Sequence, residues 1–271
     1  PSPGRTRPVT AVYVFLPLAI FLGLGFLTHL AEVRWPLRRY SKPKALRLDL
    51  IGYAVTVLAR IAIEKFQVPA IERLPSLRGF AWMTEVSRIV QWRVSWPIAL
   101  VVSVVVLDFL LYWGHRLLHT AMLWHTHAAH HSVEHLYWFG GNRASPVHVA
   151  SLAACGTLLG LVWPVHGGHP GLVIELVIYA CIQHFNHANL SWRLGFLGSL
   201  FVTPRYHFVH HGAEARLNGS NFGFLLTIWD RMFGTYVSPA GLPNDFPLGL
   251  SYRVGAARMW IGLPPGRPSE G

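Results

Sequence analysis

The sequence predicts an all-α integral membrane protein with four to five transmembrane helices and a helical, histidine-rich cap on the cytoplasmic side. Three observations favour this class. Apolar residues make up 52% of the 271 residues and charged residues only 13%, about half the charged share of ordinary soluble domains. Several apolar runs approach the roughly 20 residues that cross a bilayer. Thirteen of the 16 histidines fall in two segments, 115–148 and 184–211, directly behind such runs.

The N-terminal region, 1–95, is predicted to be a membrane region with one basic cytoplasmic loop. Val9–Leu30 is a continuous apolar run, long enough for a retained span. The loop Glu32–Arg47 carries six Lys and Arg residues, and the positive-inside rule places it in the cytoplasm. Leu48–Ile63 is a weaker span, interrupted by Asp49 and Arg60, which crosses the membrane, re-enters it or lies at the interface.

The central region, 96–237, is predicted to be catalytic, and 238–271 is predicted to be an extended tail because Pro and Gly are frequent there. Trp96–Trp113 is a further span that leads into His115 and His119 without a break. Val147–Val165 and Gly171–Ile182 form a helical hairpin, so the chain returns to the side that it left. That return brings the two histidine clusters together on the cytoplasmic face.

The histidines repeat at spacings that suit metal binding. Histidines three or four residues apart project from one face of a helix, and neutral imidazole is the commonest ligand for a transition metal. Two triads with the same i, i+3, i+4 spacing and two pairs exceed the needs of one metal. The predicted ligands are His115, His119, His127, His130, His131, His184, His187, His207, His210 and His211.

Three further side chains are candidates for supporting roles. Asp108 lies two turns before His115, where it is expected to accept the second N–H of a ligand histidine or to bond a neighbouring helix. His125 and His135 either support the site, as hydrogen-bond partners or in a proton relay, or lie at the surface.

Other protein classes fit the composition less well. The net charge of +11 is not accompanied by a basic helix, zinc-finger spacing or aromatic-basic sheet signature, so no nucleic-acid partner is expected. Cys155 and Cys181 lie in apolar segments and are predicted to be reduced thiols. Two alternatives stay open: a non-catalytic metal-binding protein and a membrane protein that transfers electrons through haem.

The order of the motifs HRLLH, HAAHH, FNHANL, TPRYHFVHH and NFGFLLTIWDRMFGT resembles the membrane-bound fatty acid hydroxylase and sterol desaturase superfamily, over roughly 108–236. The resemblance implies a cytoplasm-facing centre of two iron ions that uses O2 to hydroxylate or desaturate a C–H bond of a membrane lipid, such as a sterol or fatty acyl chain. It implies a bacterial inner membrane or the endoplasmic reticulum as the location. Zinc exchanged for iron on purification is the alternative metal.

The family's histidine boxes carry over to the predicted ligands, with His184 the least secure. Asn189 and Asn221 belong to the FNHANL and NFG segments without an assigned role. Where relatives often read R-x-H-P-x-E, this chain reads Arg143-Ala-Ser-Pro-Val-His148, which makes His148 a candidate ligand or base.

The reaction implied by the resemblance needs external electrons. The chain has no dinucleotide-binding G-x-G-x-x-G unit, no C-x-x-C-H haem attachment and no iron–sulfur cysteine set. A ferredoxin or a cytochrome with its reductase is therefore the expected partner, besides the lipid. It is expected to dock on the basic cytoplasmic face that carries Arg193, Arg205 and Arg216.

Overall fold

The computed structural model describes residues 9–40, 44–163 and 169–264. In these residues the chain is helical, and its only β pairing consists of isolated bridges such as that between Pro36 and Leu190. The helical class predicted from the sequence is thereby confirmed.

The N-terminal region forms four helices. Helix α1 spans Val9–Arg34, so the first apolar run is helical as predicted and the helix extends beyond it. Helix α2 spans Leu46–Ala62 and continues through a π-helical turn, Ile63–Gln67, into α3, Val68–Glu72. Single-turn π segments are rare inserts in longer helices. After two short 3₁₀ turns, helix α4 covers Trp82–Arg93.

Helix α5, Trp96–Leu118, carries the first histidines to the centre of the protein. It starts after Ser95 with a proline in its first turn, where the missing N–H costs nothing. It runs without a break past His115, as predicted. Among the described residues it is the one helix that is both long and apolar enough to cross a membrane. The four to five spans and the cytoplasmic side of the cap therefore stay predictions.

The two helices predicted for the hairpin are present as α7, Pro146–Val162, and α8, His169–His187, while their pairing as a hairpin stays a prediction. Its connection at 164–168 lies outside the described residues. Helix α7 packs against α5 and α2, whereas α8 packs against α1 and α10. The outer faces remain apolar: Phe26 of α1, Leu58 of α2 and Val101 of α5 are 60%, 66% and 64% exposed. Exposed apolar surface of this extent marks a membrane or partner contact.

Short helices build the cap around the histidines. They are α6 (Trp124–His131), α9 (Leu197–Leu200), α10 (Pro204–His210), α11 (Ala215–Asn218), α12 (Ile228–Met232) and α13 (Ala256–Ile261), with a 3₁₀ turn at Gly140–Asn142. Helix α13 lies in the segment predicted as an extended tail. It forms because Met259 and Trp260 bury their side chains against Ala129 of α6.

Candidate metal centre

Four elements bring nine of the ten predicted ligands together. The C-terminal end of α5 supplies His115 and, as its cap residue, His119. Helix α8 ends at His187. The two triads come from α6 and from α10 with its cap residue His211. Because all four elements end or lie in the cap, their imidazoles meet in its interior.

The nine histidines form two adjacent groups, within each of which the candidate ligand nitrogens lie within 4.8 Å of one another. The first group consists of His115, His119, His127, His131 and His210. The second group consists of His130, His187, His207 and His211. Eight of the nine side chains are buried.

Each triad divides between the groups, in opposite senses. On α6 the i, i+4 pair His127 and His131 belongs to the first group and His130 to the second. On α10 the i, i+4 pair His207 and His211 belongs to the second group and His210 to the first. The two groups touch where the rings of His131 and His211 stack, with centroids 4.6 Å apart. The geometry thus offers two neighbouring metal positions.

Backbone carbonyls fix the protonation of four of these rings. A carbonyl oxygen only accepts hydrogen bonds, so the Nδ1 that contacts it carries the proton and Nε2 keeps its lone pair. The pairs are His115 with Phe222 (2.9 Å), His130 with Arg143 (3.2 Å), His187 with Gln183 (2.9 Å) and His210 with Ser220 (2.7 Å).

Two of these Nε2 atoms, each with its lone pair available, face each other. Those of His130 and His187 lie 3.2 Å apart, and both rings already donate through Nδ1, so two acceptors face each other without a proton between them. Nε2 of His207 lies 3.0 Å from that of His187. In the first group, Nε2 of His119, His131 and His210 has no hydrogen-bond partner although it is buried. Buried polar atoms are normally paired, so these residues fit a cation that accepts their lone pairs.

The electrostatics of the site keep its imidazoles ready to bind metal. Burial, with the mutual repulsion of neighbouring rings, lowers the pKa of His127, His130, His131, His207 and His211 well below the ordinary value for histidine. These five imidazole rings are therefore neutral at physiological pH. Because a metal ligand must be deprotonated, no proton has to be displaced from these nitrogens on binding.

The backbone around the site is held by residues that the sequence analysis missed. Asp230 accepts hydrogen bonds from the amides of Phe222 and Gly223 and from the hydroxyls of Tyr206 and Thr235. It thereby fixes the Phe222 carbonyl that orients His115. The one signal available was a carboxylate inside the WDRMFGT motif.

Gly141 is required by close approach. A Cβ added there would lie 2.1 Å from Cγ of His187, closer than real Cβ atoms come to another heavy atom. The absence of a side chain at Gly141 thus lets His187 reach the second group.

The structure places two other candidates away from the nine converging histidines. His184 lies outside both groups: its Nδ1 bonds the carbonyl of Ala180, and its ring stacks on Trp138 with centroids 5.1 Å apart. Asp108 takes the second of its two predicted roles, a bond to a neighbouring helix, and does not orient His115. Its carboxylate accepts from the indole of Trp229 in α12 and from the amides of Leu225 and Leu226, so it tethers α5 to α12 and to the loop before it.

The remaining candidates take supporting places. Nδ1 of His148 lies 3.1 Å from Nδ1 of His127, so His148 contacts a ligand of the first group. His125 is partly exposed. The ring of His135 stacks on that of Tyr40, with centroids 3.7 Å apart.

The two asparagines bond the backbone. Asn189 donates to the carbonyl of Arg38 and accepts from its amide. Asn221, at a positive φ of 57°, bonds the backbone of Tyr206 and Val237.

The fold and the site together define a helical protein with a buried, two-part cluster of histidines that could hold metal. The family model for fatty acid hydroxylase matches residues 100–235, which is half of the chain and contains all nine converging histidines. The chain belongs to the fatty acid hydroxylase family.

Named relatives are enzymes that act on lipids. The chain is 35% identical over 170 residues to ornithine lipid hydroxylase OlsE of Rhizobium tropici, covering 60% of this chain and 49% of the relative. It is 32% identical over 131 residues to alkylglycerol monooxygenase of Caenorhabditis elegans, which covers 48% of this chain and 25% of the relative. It is 30% identical over 155 residues to alkylglycerol monooxygenase of Danio rerio, which covers 56% of this chain and 33% of the relative. The chain thus matches about half the length of these relatives or less. No solved structure matches it.

Proposed function

We propose that this chain carries the catalytic centre of a membrane lipid hydroxylase that binds two iron ions and transfers one oxygen atom of O2 to a lipid C–H bond. The facing Nε2 atoms of His130 and His187 support this most directly, because two locked acceptors 3.2 Å apart call for a cation. The division into two groups supports two ions rather than one.

Iron is the metal that fits the reaction. When bound, redox-active iron supplies the O2 activation that C–H oxidation requires, which zinc does not. The balance is R–H + O2 + 2 electrons + 2 protons giving R–OH + H2O. The names of the relatives, a hydroxylase and monooxygenases, favour hydroxylation over desaturation. Zinc acquired on purification would leave the protein inactive.

The protein itself would bind the metal ions, orient the histidine rings towards them and shield the centre from water. Backbone carbonyls hold four rings with Nε2 facing inward, and ligands fixed in this way bind metal more tightly. Burial of the histidines excludes bulk water from the centre, which limits side reactions of a strong oxidant.

A lipid with a polar head group is the proposed substrate. Apolar surface of α1, α2 and α5 is exposed, and α5 ends in the first ligands, so a chain lying in the bilayer would reach the centre along that helix. The relatives' names, ornithine lipid and alkylglycerol, support such a lipid over a sterol.

We also propose a role for each region of the chain, a location and an electron donor. Residues 1–95 form the membrane region, 96–237 the catalytic region and 238–271 a C-terminal segment that packs on it through α13. The centre faces the cytoplasm from a bacterial inner membrane or the endoplasmic reticulum. A ferredoxin, or a cytochrome with its reductase, delivers the electrons.

Metal content is the test of this proposal. Elemental mass spectrometry of detergent-purified protein from iron-supplemented cells should give about two irons per chain, with no haem band in the visible spectrum. Reductant, O2 and polar lipid extract should then yield a product 16 mass units heavier, labelled from 18O2. A haem band, or iron-loaded protein that consumes no O2 with any lipid fraction, would contradict it.

A further inference from the structure

The N-terminal helix α2 reaches the second histidine group through a buried ion pair. The Asp49 carboxylate accepts from Nε of Arg143 at 2.7 Å and from the hydroxyl of Tyr137 at 2.7 Å. The Asp49 and Arg143 side chains are 0% and 3% exposed. A buried charge pair destabilises a protein unless its polar atoms form good hydrogen bonds. Both oxygens of the Asp49 carboxylate accept such a bond.

The Arg143 residue joins this pair to the ligands by two routes. Its carbonyl oxygen accepts the Nδ1–H of His130 at 3.2 Å. Its Nη1 donates to the carbonyl of Ser132 at 3.2 Å and to its hydroxyl at 3.1 Å, next to the end of α6. The guanidinium therefore ties the carbonyl that orients His130 to the helix that carries it.

One face of α2 is shaped for this contact. Asp49, Gly52 and Thr56 lie at i, i+3 and i+7, so they share a face. A Cβ at Gly52 would come within 3.0 Å of Cα of Arg143. The Thr56 hydroxyl donates to the carbonyl of Asn142 at 3.0 Å. The helix thus packs tightly on the peptide that precedes Arg143.

We propose that Asp49 is a positioning residue for the second group: by holding Arg143 it fixes the carbonyl that keeps Nε2 of His130 aimed at the metal. This inference rests on the proposed two-metal centre. It gives 1–95 a direct part in the site, although the family match begins only at residue 100. Outer hydrogen-bond partners of metal ligands typically change metal affinity by roughly 10- to 100-fold.

Cobalt(II) bound to the full-length protein provides the test, because its visible absorption reports the ligands and a chelator competition reports the affinity of each ion. Two reference variants mark the groups: His119→Ala for the first and His187→Ala for the second. In Asp49→Asn, one cobalt should be lost at a chelator concentration roughly 10- to 100-fold lower than in the wild type. The spectrum of the remaining ion should match that of His187→Ala.

Thr56→Val is the matched control for the packing of α2. It removes a bond from the same helix face to the adjacent peptide but leaves Arg143 paired, so both cobalt ions should be held as in the wild type. Equal weakening in Thr56→Val and Asp49→Asn would overturn the proposal, because general docking of α2 would then explain the effect.

A double variant separates positioning from stability. Asp49→Asn leaves a buried guanidinium without its partner, whereas Asp49→Asn with Arg143→Gln removes both charges. The double variant should recover thermal stability yet still bind the second ion weakly. The role of Asp49 would be refuted if the double variant recovered both thermal stability and affinity for the second ion. It would also be refuted if Asp49→Asn left the cobalt affinity unchanged or weakened the binding of both ions equally. A wild-type protein that does not hold two cobalt ions would instead refute the two-metal centre.

Discussion

The lone pairs of the buried imidazoles are the feature from which the chemistry follows. In the second group, His130 and His187 each donate their ring N–H to a backbone carbonyl. Their Nε2 atoms are then left as facing acceptors, a repulsive arrangement in the absence of a cation. A bound cation would relieve this repulsion, and the hydrogen bonds to the carbonyls would keep both rings oriented towards it.

Two histidines one turn apart on α8 should behave differently on substitution. His187→Ala removes a ligand of the second group, so about one metal ion should be lost and lipid oxidation should fall by about 100-fold or more. His184→Ala is the matched control, since its ring contacts Trp138 and its Nδ1 bonds the carbonyl of Ala180. That variant should keep both ions. Metal analysis of both variants decides; equal metal loss would show that His184 is a ligand after all.

The converging histidines were predictable from the sequence because helical spacing is local information. The i, i+3, i+4 triads required only that α6 and α10 be helical, which they are. Spacing did not separate His184 from His187, because it gives the face of a helix but not the direction of a ring. The pairing of Asp49 with Arg143, 94 positions apart, has no local signal at all.

At the scale of elements, Asp108 ties the middle of α5 to the loop before α12. Its two oxygens accept from the amides of Leu225 and Leu226 and from the indole of Trp229. This loop continues from Phe222, whose carbonyl orients His115 at the end of the same helix. Asp108 therefore supports the first group through the backbone, not by touching a ligand.

Asp108→Asn should destabilise this connection. All three of its partners are donors, so the NH2 of asparagine would face one of them and leave it unpaired, at a cost of about 1–3 kcal/mol. Thermal unfolding in detergent should show the loss, while both metal ions remain bound at saturating metal. Glu85→Gln serves as the control because Glu85 is exposed and pairs only with Arg88. An unchanged unfolding temperature in Asp108→Asn would contradict the tether.

The helices were easier to predict than what they contact. The unbroken course of α5 past His115 followed from continuous apolar sequence and a proline start. Helix α13 was missed because frequent Pro and Gly obscured a six-residue helix whose formation depends on burying Met259 and Trp260 against α6. Tertiary packing of this kind overrides local composition.

At the scale of the whole molecule, the exposed side chains differ between the long helices and the segments that follow α8. Exposed apolar residues lie on α1, α2 and α5, whereas exposed arginines lie on the segments that follow α8. The proposed lipid substrate and the proposed water-soluble electron donor would need different surfaces.

The structure narrows which arginines can test donor docking. Arg205 donates to the carbonyl of Leu242 at 2.9 Å, so replacing it would also disturb the fold. Arg193 is exposed, and Arg216 is 68% exposed with only Glu214 as an ion-pair partner. These two charges are therefore the ones to remove.

The double variant Arg193→Gln with Arg216→Gln should raise the KM for an acidic ferredoxin or cytochrome several-fold, with metal content and kcat at saturating donor unchanged. Surface charges of this kind act on encounter, so the rate should also depend less steeply on salt than in the wild type. The control pair, Lys65→Gln with Arg88→Gln, removes the same charge from the N-terminal region, outside the face predicted for docking, and should leave the donor KM unaltered. A salt dependence identical in both double variants and the wild type would place donor docking elsewhere.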